Sequence, residues 1–311
     1  MTENSFFNTK SNNVSILDII RKRASKRDYQ NIPFSAEKLS RIEQILDSLP
    51  AAPFATSSDF RLIHKSIATS QKVRLGTYGF IRGAQYFIVG KCLNQPKNLV
   101  DYGFQMEWII LQLTAMDFGT CWLGGSFRKS EFAKLIPIKE NEIIPAITPV
   151  GYSTESRSLR DRVIRLGAGS NRRKPWIELF FEQDLTHPID RNKIGEYATA
   201  LEMVRLAPSA SNRQPWRIIK RDNAYEFYLQ RPPGTYLKFS STDLQRIDLG
   251  IAMCHFELSA KELDLGGSWC IHHIQANLPE NVEYISSWVA DKKSLRKFGT
   301  FAKILYLGNK L

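Results

Sequence analysis

The chain has 311 residues, of which 43% are hydrophobic and 24% are charged, proportions that are usual for a globular protein. Its net charge of +12 would suit nucleic acid, an acidic membrane surface or a phosphate-bearing ligand. No apolar run reaches the roughly 18 residues of a membrane span. Residues 1–13 lack the apolar stretch of a secretory signal. We therefore expect a cytoplasmic protein with a flexible tail over residues 1–13.

Hydrophobic periodicity and turn residues predict a mixture of helices and strands along the chain. Ser35, followed by Ala36 and Glu37, is a typical helix start. The predicted helices are residues 15–24, 36–48, 97–116, 128–135, 190–206 and 245–263. The predicted strands are residues 59–64, 84–91, 144–150, 216–221, 225–230, 268–275, 283–290 and 303–308. A linker near residues 167–190 is predicted to separate a first half, residues 14–175, from a second half, residues 176–311.

Three segments recur in the same order in the two halves. The pairs are 53–63 with 208–219, 101–122 with 248–269, and 148–151 with 306–308. In the second pair an Asp, two glycines and a Trp stand at identical spacing, with a helical pattern between the glycines. Chance is a poor account of three ordered correspondences, so we predict a duplication. The two halves are expected to face each other as the subunits of a symmetric homodimer do.

The first candidate binding segment runs from Arg23 to Arg27 and reads Arg-Ala-Ser-Lys-Arg. It follows an amphipathic helix and places three cations and a hydroxyl within five residues. Arginine side chains suit phosphate and can also donate to an electron-rich carbonyl. A solvated basic helix end is the simpler explanation of this segment when it is taken alone.

Two further segments carry backbone and amide groups suited to a planar ligand. Residues 208–216 read Pro-Ser-Ala-Ser-Asn-Arg-Gln-Pro-Trp, in which small side chains allow close backbone approach and two amides offer donors and acceptors. Residues 122–125 read Trp-Leu-Gly-Gly, in which adjacent glycines free backbone N–H groups to point at a ligand. Ordinary turns use the same residue types, so each segment alone is a weak signal.

Together these segments resemble the FMN-dependent nitroreductase family, and within it a subgroup with two fused halves. The family pattern is Arg-Arg-Ser-x-Arg, then Pro-Ser-x-x-Asn-x-Gln-Pro-Trp, then Gly-x-x-Trp-x-Gly-Gly, and the likeness runs from about Ser15 onward. The resemblance implies an α+β fold that is duplicated in one chain. Each half would be a mostly antiparallel sheet flanked by helices, and the halves would form an intrachain pseudo-dimer, so that a monomer is expected rather than a homodimer.

The resemblance also implies that FMN lies between the halves and that the flavin, not a side chain, carries the chemistry. The first segment would hold the phosphate, the ribityl chain and the pyrimidine edge, and residues 123–125 would lie along the isoalloxazine with a backbone N–H near N5. A late basic residue would bind the phosphate. The implied cofactor-binding residues are Arg23, Ala24, Ser25, Arg27, Leu123, Gly124, Gly125, Arg172, Arg173, Pro208, Ser209, Ala210, Asn212 and Gln214.

The two halves depart from the family pattern in complementary ways. Ala24 replaces the second Arg of the first motif, at a position that mostly supplies backbone. In the first half Asp59 brings a negative charge to the loop where flavin carbonyls need donors. In the second half nothing like the Arg23–Arg27 segment precedes the predicted 190–206 helix. These losses predict one working flavin site per chain.

By resemblance, the function is transfer of electrons from NADH or NADPH to a small acceptor, such as a nitroaromatic or a quinone, in a ping-pong cycle. The alternative is a flavin-binding storage or redox-sensing protein, in which Trp122, Phe127 or Tyr236 covers the flavin. A basic nucleic-acid-binding protein ranks lower, because no nucleic-acid motif accompanies the basic clusters. No metal site is expected, and hydrolase, zinc-protease and P-loop motifs do not occur. We expect neither a nucleic-acid nor a membrane partner.

Overall fold

A computed structural model describes residues 14–70, 73, 75–154, 172–232, 242–272 and 278–291. In these residues the helices are α1 Ile16–Lys22, α2 Ala36–Asp47, α3 Lys65–Ser70, α4 Pro96–Ala115, α5 Lys129–Ala133, α6 Tyr197–Leu206 and α7 Leu244–Glu262. The strands are β1 Asp59–His64, β2 Tyr86–Leu93, β3 Gly119–Thr120, β4 Glu142–Ile143, β5 Ile147–Gly151, β6 Phe180–Glu182, β7 Trp216–Arg221, β8 Ala224–Gln230, β9 Gly267–Cys270 and β10 Val282–Ala290. None of the described helices is long and apolar enough to cross a membrane.

The strands form two five-stranded sheets, one in each half of the chain. The first has the order β1-β2-β5-β3, with β4 paired to β2, and the second has the order β6-β7-β8-β10-β9. All pairings are antiparallel except that of β6 with β7. Without β4 and β6, the two sheets have the same strand order, in which β1, β2, β5 and β3 correspond to β7, β8, β10 and β9. The fold is therefore α+β and duplicated, as the sequence predicts.

The third of the predicted correspondences is wrong. Residues 148–151 lie in β5, which stands between β2 and β3 in the first sheet. In the second sheet the equivalent position, between β8 and β9, is occupied by β10. Residues 306–308, which had been matched to 148–151, lie outside the described residues. A match of three or four residues is too short to fix a strand's partner, because a short apolar run ending in glycine recurs by chance.

Helices α4 and α7 pack against each other at the centre and join the two halves. Both are buried almost throughout, as expected for helices that lack a solvent-facing side. The helices meet at the glycines of the repeated segment: a Cβ at Gly103 would lie 2.2 Å from the Ile247 carbonyl oxygen, and a Cβ at Gly250 would lie 1.9 Å from that of Val100. The glycines are therefore needed for close backbone approach.

Most predicted elements form, and their differences have local causes. The Ser35 side chain accepts a hydrogen bond from the Lys38 N–H and starts α2, as predicted. The predicted 190–206 helix is broken, because Gly195 adopts a φ of 70°. A 3-10 turn, Arg191–Lys193, precedes this break and α6 follows it. Strand β9 ends at Cys270, earlier than the predicted 275.

The predicted linker at 167–190 contains regular structure that the sequence analysis missed. A 3-10 helix, Trp176–Glu178, leads into β6, which pairs in parallel with β7 at the edge of the second sheet. Three residues are too few for a recognisable strand pattern, and the parallel pairing is stabilised by partners that are distant in sequence. Helix α3 was also not predicted.

Candidate functional site

A cavity of about 730 Å³ lies between the two halves. Its walls come from the segment after α1, the segment after β3, the loop after α6 and the first turns of α7. The predicted residues that line it are Arg23, Ala24, Ser25, Arg27, Leu123, Gly124, Gly125, Arg173, Pro208, Ser209, Ala210 and Asn212. Segments that are far apart in sequence are thus brought together at one place.

The first segment is positioned by pairing with β3. Ser25 forms a parallel bridge to Thr120, and the Lys26 N–H donates to the Thr120 carbonyl over 2.8 Å. The start of α1 is fixed by the other half, because the Glu262 carboxylate of α7 accepts from the Ser15 hydroxyl and from the Ile16 N–H. Arg23 and Arg27 therefore reach the cavity from a backbone held at both ends.

The Leu-Gly-Gly segment offers unused backbone donors. The N–H and carbonyl of Leu123 are both bonded to Ile147, over 2.9 and 3.0 Å, and its side chain is buried. In the described part of the chain, the N–H groups of Gly124 and Gly125 make no hydrogen bond. A Cβ at Gly125 would meet nothing within 4 Å, so open space adjoins this backbone. The expected N–H donor is therefore that of Gly124 or Gly125, not that of Leu123.

The loop from the second half is held in a sparsely populated backbone conformation. Ser211, Asn212 and Gln214 have φ values of 50°, 53° and 48°, a left-handed region that non-glycine residues seldom adopt. The Asp248 carboxylate accepts from the Ala210 N–H over 2.9 Å, and the Ser209 hydroxyl accepts from the Gln214 N–H over 2.9 Å. Such strain persists only where surrounding contacts fix it, and it is frequent at ligand sites.

The remaining predicted residues hold this loop in place by hydrogen bonds. Arg173 lines the cavity and donates to the Asn212 side-chain oxygen over 2.7 Å and to the Leu206 carbonyl over 3.0 Å. Arg172 and Gln214 are not among the lining residues. The Arg172 carbonyl accepts from the Asn212 amide over 2.6 Å, and the buried Gln214 side chain accepts from the Lys174 N–H over 2.9 Å. The structure therefore places these two behind the cavity wall.

A buried polar network backs the cavity. Glu107 of α4 is fully buried and accepts from the Trp122 indole over 2.6 Å, while its other oxygen lies 2.9 Å from His255 Nε2 and 3.7 Å from Arg23 Nε. His255 Nδ1 lies 2.9 Å from the Met203 carbonyl, which only accepts, so Nδ1 carries a proton. The network joins two cavity-lining side chains of the first half to α7 of the second.

Cationic groups dominate the charge of the site. Arg23, Arg27 and Arg173 line the cavity, and the Arg23 Nε is buried without a hydrogen bond. The lining carboxyl of Asp248 is buried, and burial raises its pKa well above the ordinary 3.8, which favours the neutral acid. The cavity therefore suits a ligand that is anionic or rich in electron-dense oxygens.

Several residues of the site were not predicted from the sequence. Glu107 and His255 stand in runs that are otherwise apolar, and a charged or polar side chain inside a buried helix was the available signal. Leu244, Ile247 and Ile251 of α7 form an apolar wall of the cavity. An apolar helix face is usual in a buried core, so nothing in the sequence marks this part of it as bordering a cavity.

The side chains considered as covers for the ligand lie in different places. Trp122 lines the cavity, where its indole is fixed to Glu107. Phe127 is buried and packs edge-on against Phe132, with ring centroids 5.5 Å apart. Tyr236 lies outside the described residues. Of the described pair, Trp122 alone is in a position to contact a ligand.

Comparison with known proteins then assigns the family. The sequence model of the family described as "Putative TM nitroreductase" matches residues 15–260. The chain belongs to this family. No curated protein matches it.

Solved structures similar to this nitroreductase-family chain include one that spans both halves. A "putative nitroreductase" from Thermotoga maritima MSB8 is 24% identical, with a TM-score of 0.57, and the match covers 89% of this chain and 94% of that chain. Nitroreductases with bound FMN from Desulfitobacterium hafniense DCB-2 and Bacteroides fragilis NCTC 9343 are 18% and 17% identical, both with a TM-score of 0.38. Those matches cover 46% and 47% of this chain and 90% and 92% of theirs. The Thermotoga match, spanning both halves, is the one that shows a shared fold.

Proposed function

We propose that this protein is an FMN-dependent oxidoreductase that passes electrons from NADH or NADPH to a small acceptor such as a nitroaromatic or a quinone. The supporting observation is that three segments of the family pattern, distant in sequence, line one cavity between the halves. Its volume of about 730 Å³ is within the usual range for cofactor sites. Membership of the nitroreductase family supports the same reaction class.

The residues present fit FMN. The N–H groups of Gly124 and Gly125 are available in the described structure, and the Arg23 Nε is buried without a hydrogen bond. Arg23, Ser25 and Arg27 would hold the phosphate, the ribityl chain and the pyrimidine edge. The apolar wall of α7 would cover part of the ring system. The loop at 208–212 would close the site from the second half.

Bound FMN would supply the hydride chemistry, since flavins carry the reaction and the protein positions and tunes them. The guanidinium groups of Arg23 and Arg27 would favour negative charge that develops in the cavity, an electrostatic contribution that needs no side-chain nucleophile. Helix α7 and the half-buried Trp122 would exclude water from one side. One cavity would serve the electron donor and the acceptor in turn, which is the basis for proposing a ping-pong order.

The direct test is a visible absorption spectrum of the purified protein after FMN is added and the excess removed. Anaerobic NADPH and NADH are then added in separate cuvettes. We expect retained yellow flavin that is bleached by at least one of the two nicotinamides. Protein that retains no flavin would refute the proposed site, and the salt dependence of nucleic-acid binding would then be the next measurement.

Trp122 supports one alternative, a flavin-storage or redox-sensing protein. Its indole lines the cavity and is fixed by the bond to Glu107, so it could block access to a bound ligand. Retained flavin that neither nicotinamide bleaches would favour this alternative. Replacement of Trp122 by Ala would then be expected to open the site and restore bleaching.

A further inference from the structure

A second cavity, of about 400 Å³, lies in the second half beside the first. Asn212 lines both cavities, so a short stretch of loop separates them. The second cavity has a cationic lining, to which Lys174, Arg213, Arg217 and Arg231 contribute. Nothing in the proposed flavin site uses these side chains.

Arg217 is the most buried cation of this cavity, and among the described residues the acid that acts on its charge, Glu178, does not reach ion-pair distance. It is 8% exposed, and its Nη1 donates to the carbonyls of Gln214 over 3.1 Å and of Trp216 over 2.5 Å. In the described part of the chain no carboxylate lies within 4.0 Å of its guanidinium. Burial lowers the pKa of Arg217 to about 10. A buried charge that is only partly compensated is costly, and a bound anion would lower that cost.

The duplication provides an internal comparison. Arg61 is the counterpart of Arg217 in β1, and its side chain is 50% exposed and lies 3.4 Å from the Asp59 carboxylate. The residue that corresponds to Asp59 in the second half is Pro215. The second half has thus buried the arginine and lacks the neighbouring acid. Packing alone does not require a buried guanidinium at this place, since its counterpart is half exposed.

Lys174 adds a second cation that is only weakly compensated. Its Nζ lies 3.9 Å from the Glu178 carboxylate, at the limit of an ion pair. Burial lowers the pKa of Lys174, and the nearby charge of Arg217 lowers it further. Arg231, by contrast, is bonded to Asp243 over 2.6 Å and lies 3.7 Å from Glu283. The excess positive charge therefore lies on the side of Lys174 and Arg217.

We propose that the cavity between Lys174 and Arg217 binds a phosphate monoester dianion. Arginine donates in a fork that matches phosphate oxygens, and lysine adds a compact point charge. Two sources share this chemistry, the 2′-phosphate of NADPH and the phosphate of another phosphorylated ligand. The NADPH source rests on the proposed function. The two cavities adjoin at Asn212, so a dinucleotide whose nicotinamide lies in the first cavity would have its adenosine end within reach of the second.

The test is calorimetric titration of the FMN-loaded full chain with inorganic phosphate and with adenosine 2′-monophosphate. Loading with FMN occupies the first cavity, so phosphate cannot report on that site. The variants are R217Q, which keeps a donor to the backbone carbonyls without the charge, and K174Q. The matched control is R61Q, at the equivalent exposed position. We expect both site variants to weaken binding by about 10- to 100-fold and R61Q to leave it unchanged.

The kinetics of flavin reduction distinguish the two possible sources of the phosphate. If NADPH is the source, R217Q lowers kcat/KM for NADPH by about the same factor and leaves that for NADH unchanged. If R217Q weakens phosphate binding but leaves kcat/KM unchanged for both donors, the site belongs to another phosphorylated ligand and the NADPH source is overturned; an equal loss for both donors overturns it too, because NADH has no 2′-phosphate. Failure of flavin bleaching with phosphate binding intact would refute the proposed function while the phosphate site stands.

Three results would overturn the phosphate site itself. One is the absence of phosphate binding to the wild-type chain. Another is binding that R217Q and K174Q leave unchanged while both variants show the wild-type unfolding temperature. The third is loss of FMN affinity in R217Q, which would make this cavity a part of the flavin site. If R217Q does not fold, the exposed part of Lys174 makes K174Q the deciding variant.

Discussion

Arg23 is the residue on which the proposed ligand contact depends most. Its side chain is 7% exposed, and within the described ranges its Nε makes no hydrogen bond and lies 3.7 Å from the carboxylate of Glu107. We expect Arg23→Ala to lower FMN affinity by about 1.5–3 kcal/mol, the usual cost of losing a hydrogen bond to a charged group. Quenching of FMN fluorescence during titration measures this change.

Asp59 provides the matched control for that variant. It is the first residue of β1 in the first half, directly after the loop that corresponds to the flavin-binding loop of the second half, and its carboxylate lies near Arg61 and Lys91. Asp59→Ala should leave FMN affinity unchanged, because the site is assigned to the loop of the second half. Loss of FMN binding in Asp59→Ala, with Arg23→Ala unaffected, would show that the two halves have been assigned in reverse.

Asp248 makes a prediction about pH. Burial raises its folded-state pKa well above 3.8, so the folded protein holds this proton at pH values at which the unfolded chain has released it. The stabilisation is present below about pH 4 and is lost as pH rises through the folded pKa. Asp248→Asn should therefore flatten the dependence of the free energy of unfolding on pH above 4. An unchanged pH profile, measured by urea denaturation, would contradict the neutral acid.

Helices α4 and α7 join the halves at glycines, which can be tested by adding one methyl group. Gly250→Ala would place Cβ 1.9 Å from the Val100 carbonyl oxygen, on a backbone that cannot move alone. Alanine favours a helix by about 1 kcal/mol over glycine, so any net loss must come from the clash. We expect the free energy of unfolding to fall by about 1–3 kcal/mol.

Gly125→Ala is the control for that substitution. A Cβ at Gly125 would meet nothing within 4 Å, so this change should leave the free energy of unfolding unchanged. Urea denaturation of the two variants compares them under one condition. Equal stability of Gly250→Ala and the wild type would mean that the helices can separate, and the close crossing would not be the link between the halves.

At the level of elements, the sequence predicted what is local and missed what depends on distant partners. The cap at Ser35 was predictable, because it acts through neighbours in the chain. The repeated glycines were recognised from their spacing, but their contacts with the facing helix were not predicted. Strand β6 was not, since three residues carry no pattern and the strand forms by pairing with β7. The role of Glu107 was also hidden, because its partners Trp122, His255 and Arg23 meet it only after the halves pack.

At the level of the whole molecule, one chain supplies what a homodimer would build from two subunits. The cavity takes Arg23 and Gly124 from the first half and Ala210 and Asp248 from the second. The family pattern is incomplete at the second, pseudo-symmetric position. In the first half Asp59 and the residues before it replace the amide-bearing loop, and the second half has no counterpart of the Arg23–Arg27 segment. From this asymmetry we predict a single flavin site per chain.

The most direct test of the account is an equilibrium titration of the purified chain with FMN, with the protein concentration far above the dissociation constant, so that the end point gives the stoichiometry. The account predicts one FMN per chain, with that flavin bleached by anaerobic NADPH or NADH. Two FMN per chain would contradict the complementary loss of the second site. No FMN bound would contradict the proposed function altogether.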